Sequence, residues 1–274
     1  MHRHDNLPDA VLRPPLTSER LVSDLRRLGV TEGLTLLVHG SLRSIGWVDG
    51  GARTVVEALR QAVGETGHVV APTGTEENSL TSRVSKERAA RLKRDEGAAD
   101  PRAMRAFDRD ATPTTMGAIS EALRTVGDAV RSPHPQSSFA AVGPRAAELM
   151  ADHPLRCHLG RRSPLWQLYI MGADVLFLGV DGYAACTAFH LAEYLYKEDP
   201  PRRTYSCVVK TNGWEHWVTY DDVVLDDTDF AAIGESLTEL VSVKCGYVGD
   251  ARARMVPMIQ LVNHAIEWMK RHRT

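Results

Sequence analysis

The chain of 274 residues contains no uninterrupted apolar run near the roughly 20 residues needed to cross a bilayer. Its opening segment, MHRHDNLPDAVLRPPL, lacks the apolar stretch that a secretory signal requires. Apolar residues nevertheless make up 43% of the sequence, and mean hydropathy is −0.25, as in globular proteins with a buried core. We therefore expect a cytoplasmic protein that has no membrane partner.

Cysteine is scarce, and neither sign of charge is in excess. The four cysteines are scattered and form no CxxC pair, so a zinc ribbon or a redox motif is not expected. The 33 basic and 35 acidic residues leave a net charge of −2. This balance gives no broad positive field that would attract nucleic acid or an anionic membrane.

Apolar periodicity predicts alternating strands and helices. Thr17 and Ser18 can begin a helix that ends at Gly29. A strand at 34–38, a helix at 52–63 and a strand at 69–71 follow, in the order of a βαβ unit with a parallel sheet. The sequence further predicts strands at 139–142 and 175–180, and a hairpin of 206–210 and 214–220 that turns at Asn212-Gly213. It also predicts helices at 116–126, after Pro144, from Pro164, at 187–197, at 228–241 and at 252–271.

Two segments differ from this regular order. Residues 1–16 carry three prolines and are expected to form an arm before a single domain of residues 17–274. Residues 76–110 are dense in charge and poor in large apolar side chains. This insertion is interpreted either as solvated surface or as a lid beside a site.

A histidine and a glutamate lie three residues apart, just after the most apolar predicted strand. His190 and Glu193 share one helix face, and the helix follows strand 175–180. Both can therefore lie at the carboxyl edge of the sheet, where open α/β sheets bind ligands. A histidine beside a carboxylate suits a general base, although a surface pair has the same spacing. Tyr194 stands where a zinc protease would need its second histidine, so no metal is expected.

Two loops are candidate ligand contacts. The segment HGSLRSIG at 39–46 follows a strand, and its small residues would let the backbone approach a ligand, with Ser41, Arg43 and Ser44 near phosphate or pantetheine amides. The segment SPHPQSSF at 132–139 is stiffened by two prolines and could aim His134 and Ser138 at a binding edge. An ordinary strand–helix loop and a structural corner explain these segments nearly as well.

Several carboxylates cluster just after the predicted hairpin. Around a cleft they would attract a polycationic substrate, and otherwise they are solvated loop charge. The cluster comprises Asp221, Asp222, Asp226, Asp227 and Asp229.

Taken in order, six segments closely resemble the antibiotic N-acetyltransferase family, typified by aminoglycoside 3-N-acetyltransferases. The segments are LLVHGSLRSIGWVDGGARTVVEAL, TPTTMGAISEALR, RSPHPQSSFAAVG, SPLWQLY, VLFLGV and TAFHLAE. The likeness extends over about residues 17–271. It implies a single three-layer α/β/α domain with a mixed, mostly parallel sheet, distinct from the GNAT fold. It also implies acetyl-CoA as co-substrate, an aminoglycoside as acceptor, and transfer to a 3-N or 2′-N amine, with kasugamycin-like compounds among the conceivable acceptors.

The resemblance also assigns site residues. It implies His190 as the general base, Glu193 as its helical companion and Asp222 as an acidic residue near that histidine. Asp181 and Asp221 are expected to contact the substrate. The walls of the coenzyme A site are expected to comprise Ser41, Leu42, Arg43, Ser44, Thr115, Met116, Gly117, His134, Ser138 and Phe139.

Direct transfer from acetyl-CoA to an amine freed of its proton by His190 is the expected mechanism. A covalent acetyl-enzyme on Cys186 is its rival. The expected role is antibiotic resistance, and the alternative is a biosynthetic N-acyltransferase acting on a small amine such as an amino sugar or amino-phosphonate. A protein that only binds coenzyme A is a weaker alternative, because His190 is retained. The sequence leaves open whether the chain forms a homodimer.

Overall fold

The computed structural model describes residues 14–80, 104, 106–237 and 242–273. Residues 1–13 of the predicted arm and most of the charged insertion at 76–110 lie outside these residues. In chain order the elements are α1 (Ser18–Leu28), β1 (Thr35–Gly40), α2 (Leu42–Ile45), α3 (Ala52–Val63), β2 (His68–Pro72), a 3-10 turn (Glu76–Asn78), α4 (Ala118–Arg124), β3 (Val130–Arg131), β4 (Phe139–Val142), α5 (Ala146–Ala151), α6 (Pro164–Ile170), β5 (Asp174–Leu178), α7 (Ala188–Glu193), β6 (Arg202–Thr211), β7 (Trp214–Val223), α8 (Phe230–Glu235), β8 (Lys244–Val248), β9 (Ala251–Pro257) and α9 (Met258–His272).

The first helix shows how local sequence sets its boundaries. Thr17 accepts the backbone N–H of Arg20 in its side-chain oxygen and so begins α1. The helix ends at Gly29, whose backbone has a left-handed conformation with φ 104°. Residues with a side chain rarely adopt this conformation. Leu21 and Leu25 point from α1 into the core, as their spacing predicts.

Seven strands form one mixed sheet in the order β3-β4-β2-β1-β5-β9-β8. The pairings of β1 with β2 and with β5 are parallel, which confirms the predicted βαβ unit. The pairings of β2 with β4, β3 with β4, β5 with β9 and β8 with β9 are antiparallel. Strands β6 and β7 form a separate hairpin that turns at Asn212-Gly213, where φ is positive at both residues.

The central strands bury both faces of the sheet. Leu36 and Val38 of β1 pack into a core with α1, α3 and α4. Leu37, between them, packs into a second core with α6, α7 and α9 on the opposite face. Two helical layers therefore enclose the sheet, which confirms the three-layer α/β/α fold.

The prediction of one helix over 252–271 is wrong in its first part. Residues Ala251–Pro257 form β9, and the helix begins only at Met258. Met255 and Val256 of β9 pair with Leu176 and Val175 of β5, so the central sheet takes up this segment. The partner strand lies more than 70 residues earlier, and local periodicity does not reveal it. Strand β8 was not predicted either.

The helices of the later half are shorter than predicted. Helix α7 spans Ala188–Glu193 instead of 187–197, and α8 spans Phe230–Glu235 within the predicted 228–241.

None of the helices described is both long and apolar enough to cross a membrane.

Candidate active site

The carboxyl ends of the parallel strands bring two candidate segments to one edge of the sheet. Strand β1 leads through Ser41 into the short helix α2, and β5 leads through Gly179 and the following turn into α7, which carries His190. The pairing of Gly40 with Leu178 sets these two exits side by side. The carboxyl edge of an α/β sheet is where ligands bind.

His190 and Glu193 form a hydrogen-bonded pair on α7. The Nδ1 atom of His190 donates to Oε2 of Glu193 over 2.6 Å. Glu193 is 1% exposed, whereas the His190 side chain keeps 19% exposure. The ring also lies edge-on against Phe230, with centroids 4.7 Å apart. Because the carboxylate accepts the hydrogen bond from Nδ1–H, the Nε2 atom of the neutral ring carries the lone pair that a base needs.

The second carboxylate oxygen of Glu193 is held by two further donors. Oε1 accepts the backbone N–H of Asp226 at 2.8 Å and Nη1 of Arg273 at 2.8 Å. Burial alone would lower the pKa of Arg273, but hydrogen bonds to Asp229 and Glu193 outweigh it and hold the pKa above its ordinary value. Glu193 is therefore a buried acceptor with donors on both oxygens.

Asp222 lies in a hydrogen-bond network beside the end of α7, and its expected role near His190 stays a prediction. Its Oδ2 atom accepts from the backbone N–H and from Nδ1 of His158, each at 2.7 Å, and from the hydroxyl of Tyr194 at 2.7 Å. No hydrogen bond joins Asp222 to His190 in the described structure. Because Tyr194 directly follows Glu193, Asp222 anchors the end of α7 through this hydroxyl.

A cluster of three buried histidines surrounds this anchor. His134 lies with its ring centroid 4.8 Å from that of His153 and 4.5 Å from that of His158. Burial lowers the pKa of His153 to about 3 and lowers the pKa values of His134 and His158 in the same direction. Burial therefore keeps the His153 ring neutral at pH 7, and Nδ1 of His158 donates a hydrogen bond to the Asp222 carboxylate.

Residues 41–44 form the first turn after β1 and remain accessible. The hydroxyl of Ser44 donates to that of Ser41 over 3.0 Å, and the Arg43 side chain is exposed. The Ser41 amide already donates to the carbonyl of Leu178. Hydroxyls, a guanidinium and the next backbone N–H groups, including that of Leu42, suit the amides and phosphates of coenzyme A.

The loop that enters α7 from β5 is packed against this turn. A Cβ added at Gly179, where φ is 63°, would lie 2.3 Å from Cβ of Ser44. Arg254 of β9 donates to the carbonyls of Val180 and Gly182 at 3.2 and 2.7 Å and lies over the ring of Tyr183. The glycine and the arginine therefore fix the distance between the turn after β1 and the helix that carries His190.

The segment 115–117 precedes α4. The backbone N–H of Thr115 donates to the carbonyl of Gly74, and the Met116 side chain is 37% exposed. Gly117, at φ 98°, begins α4, and a Cβ there would meet nothing within 4 Å. This segment lies beside the loop that follows β2, so it is accessible at the same edge of the sheet.

Three residues expected in the coenzyme A walls are enclosed instead. His134 accepts the backbone N–H groups of Gln136 and Ser137 and is 0% exposed. Ser138 donates to the carbonyl of Thr73, and Phe139 lies in the core. The side chains of these three residues are enclosed in the described structure, and their contact with coenzyme A stays a prediction.

The two expected substrate carboxylates separate. Asp181 is exposed and lines a cavity of about 330 Å³ with Tyr247 and Arg252. Asp221 accepts from the hydroxyl of Thr204 on the exposed face of the hairpin. Adjacent strand residues point to opposite faces, so Asp221 faces away from the side on which Asp222 binds His158.

Sequence reasoning missed several residues that support the site. Arg273 carried no local signal, because its contact with Glu193 spans 80 positions. His158 and Arg254 belonged to no recognised spacing. Within the described ranges, no group of three or more His, Cys, Asp or Glu side chains could hold a metal ion.

Comparison with known proteins places this architecture in a family. Residues 37–270 match the family model described as aminoglycoside 3-N-acetyltransferase. The chain is 34% identical to the SPbeta prophage-derived aminoglycoside N(3')-acetyltransferase-like protein YokD of Bacillus subtilis (strain 168), over 93% of this chain and 92% of that protein. It is 32% identical to aminoglycoside N(3)-acetyltransferase VII of Streptomyces paromomycinus, with the same coverage of 93% and 92%.

Solved structures agree with these relatives. The crystal structure of YokD from Bacillus subtilis superposes with a TM-score of 0.82 at 32% identity, covering 95% of each chain. AAC-VIa bound to sisomicin gives 0.81 at 32% identity, covering 95% of this chain and 100% of that one. The chain belongs to the aminoglycoside 3-N-acetyltransferase family, whose members are acyltransferases that use acetyl-CoA as co-substrate.

Proposed function

We propose that this enzyme transfers the acetyl group of acetyl-CoA to the 3-amino group of an aminoglycoside, with His190 as general base, and thereby confers resistance. The observation that carries the proposal is the 2.6 Å hydrogen bond from His190 Nδ1 to buried Glu193, which leaves Nε2 of a part-exposed ring as proton acceptor. Family membership supplies the reaction class. Sisomicin bound to the similar AAC-VIa supports an aminoglycoside as acceptor.

In the proposed reaction, Nε2 of His190 takes a proton from the ammonium group of the acceptor. The neutral amine then attacks the thioester carbonyl and forms the C–N bond and a tetrahedral oxyanion. This intermediate collapses as its nitrogen loses a second proton to solvent and the C–S bond breaks. The sulfur leaves as coenzyme A, with a proton returned from the imidazolium. The oxyanion formed on the way needs donors, and the backbone N–H groups of Leu42 and Arg43 are the candidates, because the Ser41 amide is already bonded.

Direct transfer is favoured over an acetyl-cysteine intermediate by the state of Cys186. The residue is fully buried, and burial raises the pKa of its thiol to about 12. A thiol of this kind has almost no thiolate at neutral pH and is a poor nucleophile. Incubation with acetyl-CoA alone, followed by mass spectrometry, is expected to find no acetyl adduct on this residue.

The proposed positions of the carboxylates follow from their contacts. Glu193 orients the base, Asp222 holds the end of α7 through Tyr194, and Asp181 contributes to acceptor binding from its exposed loop. Asp221, on the outer face of the hairpin, is proposed to contact only a part of the acceptor that extends beyond the cleft.

The test is coenzyme A release measured across a panel of aminoglycosides. We expect turnover with at least one of them, and His190→Asn is expected to lower kcat by about 10²–10⁴-fold, the usual contribution of a general base. His216→Asn, on an exposed hairpin position, is the matched control and should keep normal turnover. Near-normal kcat in His190→Asn would refute the assignment of the base.

The product identifies the acceptor amine. NMR of the acetylated compound is expected to locate the acetyl group on the 3-amino nitrogen. Acetylation of the 2′-amino nitrogen, or turnover of a kasugamycin-like compound, would correct the proposed regiochemistry. Turnover of small amino sugars or amino-phosphonates, with none of any aminoglycoside, would replace the resistance role with the biosynthetic one.

A further inference from the structure

Glu193 is a buried carboxylate whose charge needs compensation from other parts of the chain. Its side chain is 1% exposed, and an ionised carboxylate in such a place is costly unless it is paired and hydrogen-bonded. His190 supplies one donor from the same helix. The only cation that contacts it in the described structure is Arg273, at 2.8 Å.

The guanidinium of Arg273 is fixed in place by more than this one contact. Its Nε and Nη2 atoms donate to the two carboxylate oxygens of Asp229 at 2.7 and 2.5 Å, and Nη2 also donates to the carbonyl of Asp226 at 2.7 Å. The Arg273 side chain is 16% exposed. Because these hydrogen bonds hold the planar guanidinium on two sides, it has little freedom to rotate, and its remaining N–H donor points at Glu193 in a fixed orientation.

We propose that Arg273 is a positioning residue for the base, holding the Glu193 carboxylate turned so that Oε2 accepts the hydrogen bond from Nδ1 of His190. The inference rests on the proposed function and deepens it, because it names a residue that controls the same histidine. Arg273 touches neither His190 nor the reacting atoms in this arrangement. Its effect passes through the Glu193 carboxylate and through the charge of the guanidinium.

The sign of the effect follows from electrostatics. Loss of the cation leaves the anionic carboxylate less neutralised, which favours the protonated form of the imidazole next to it. Since a general base must be unprotonated, activity would then require a higher pH. A single charge at close range moves a titration by about one pH unit, so kcat/KM on the acid side should fall about tenfold.

The experiment compares three variants with the wild-type enzyme between pH 5.5 and 9. Arg273→Gln keeps a hydrogen-bond donor and loses the charge, whereas Arg273→Lys keeps the charge and loses the fork. Arg271→Gln is the matched control, because Arg271 is exposed and donates only to the backbone carbonyl of Glu267. Circular dichroism checks that each variant is folded.

For Arg273→Gln we expect the acid limb of kcat/KM to move up by about one pH unit, with kcat falling and KM for acetyl-CoA unchanged. Arg273→Lys should keep the wild-type acid limb and lose only a few-fold in kcat, and Arg271→Gln should match wild type. An equal loss at every pH, or a shifted limb in the Lys variant, would mean a merely structural role. If the Gln variant does not fold, the acid limb of the Lys variant decides alone.

A second readout does not need substrate. The imidazole signals of His190, assigned by their loss in His190→Asn, are titrated by NMR in wild type and in Arg273→Gln. We expect a higher midpoint in the variant, and equal midpoints would overturn the inference. If wild-type enzyme acetylates nothing in the panel while this midpoint still moves, the proposed function fails and the role of Arg273 stands.

Discussion

Lowering the pH from 7.5 to 5.0 is expected to destabilise the protein through histidines that are buried in their neutral form. Burial lowers the pKa of His39 to about 4 and that of His153 to about 3. In the unfolded chain both have the ordinary value near 6.5. The unfolded state therefore binds protons first, and stability that is complete above pH 6.5 is lost as the pH falls toward the folded values.

The size of the loss follows from these pKa values. At pH 5.0 each histidine lowers the free energy of unfolding by about 2 kcal/mol, so the pair lowers it by about 4 kcal/mol. The low pKa of His134 adds to the loss in the same direction. A typical domain has only about 5–15 kcal/mol of stability in total, so the change is large.

Urea unfolding at the two pH values, followed by circular dichroism, measures this loss. The matched variant is His39→Leu, because Nε2 of His39 is buried without a partner among the described residues and the ring stacks on Phe177. Between the two pH values this variant should lose about 2 kcal/mol less stability than wild type does. Free energies of unfolding that agree within about 1 kcal/mol at pH 7.5 and 5.0 in wild type would refute the reasoning.

Two further predictions concern single side chains. Tyr194→Phe removes the hydroxyl that donates to Asp222 and leaves that carboxylate with one hydrogen-bond donor fewer. The free energy of unfolding, measured by urea titration, should therefore fall by about 1–3 kcal/mol. An unchanged value would mean that this hydrogen bond does not stabilise the protein. A disulfide reagent added to the native enzyme should label the exposed Cys245 rapidly and the three buried cysteines slowly. Burial raises the thiol pKa values of those three cysteines and so lowers their reactivity. Rapid labelling of more than one thiol per chain would contradict the burial of the three cysteines.

The elements that the sequence predicted well are those whose signal is local. The strand at 34–38 and the helix at 52–63 carry apolar side chains at the period of their own structure, and the fold confirms both. Strand β9 has the sequence ARARMVP, which holds two arginines and leads directly into a helix, so its apolar side chains also fit a helical pattern. Only pairing with distant β5 distinguishes the two, and a local pattern contains no information about it.

The site divides in the same way. His190 and Glu193 are three residues apart on one helix, so their contact could be predicted from spacing. Asp222 lies two residues past the predicted end of the hairpin at residue 220. Because successive side chains of a strand point to opposite faces, an error of one residue in the strand changes the face on which a side chain is placed. The family resemblance pointed to this segment, but it could not show that His158 is the partner of this carboxylate.

The 80 positions between Glu193 and Arg273 also have a consequence for how the enzyme matures during synthesis. The ribosome makes the βαβ unit and α7 long before it adds α9, so a nascent chain can pair its early strands while the carboxylate beside His190 still lacks its cation. The final turn of α9 brings Arg273 into place. If Arg273 has the role proposed for it, catalytic competence is therefore expected only after Arg273 has been made and has reached Glu193.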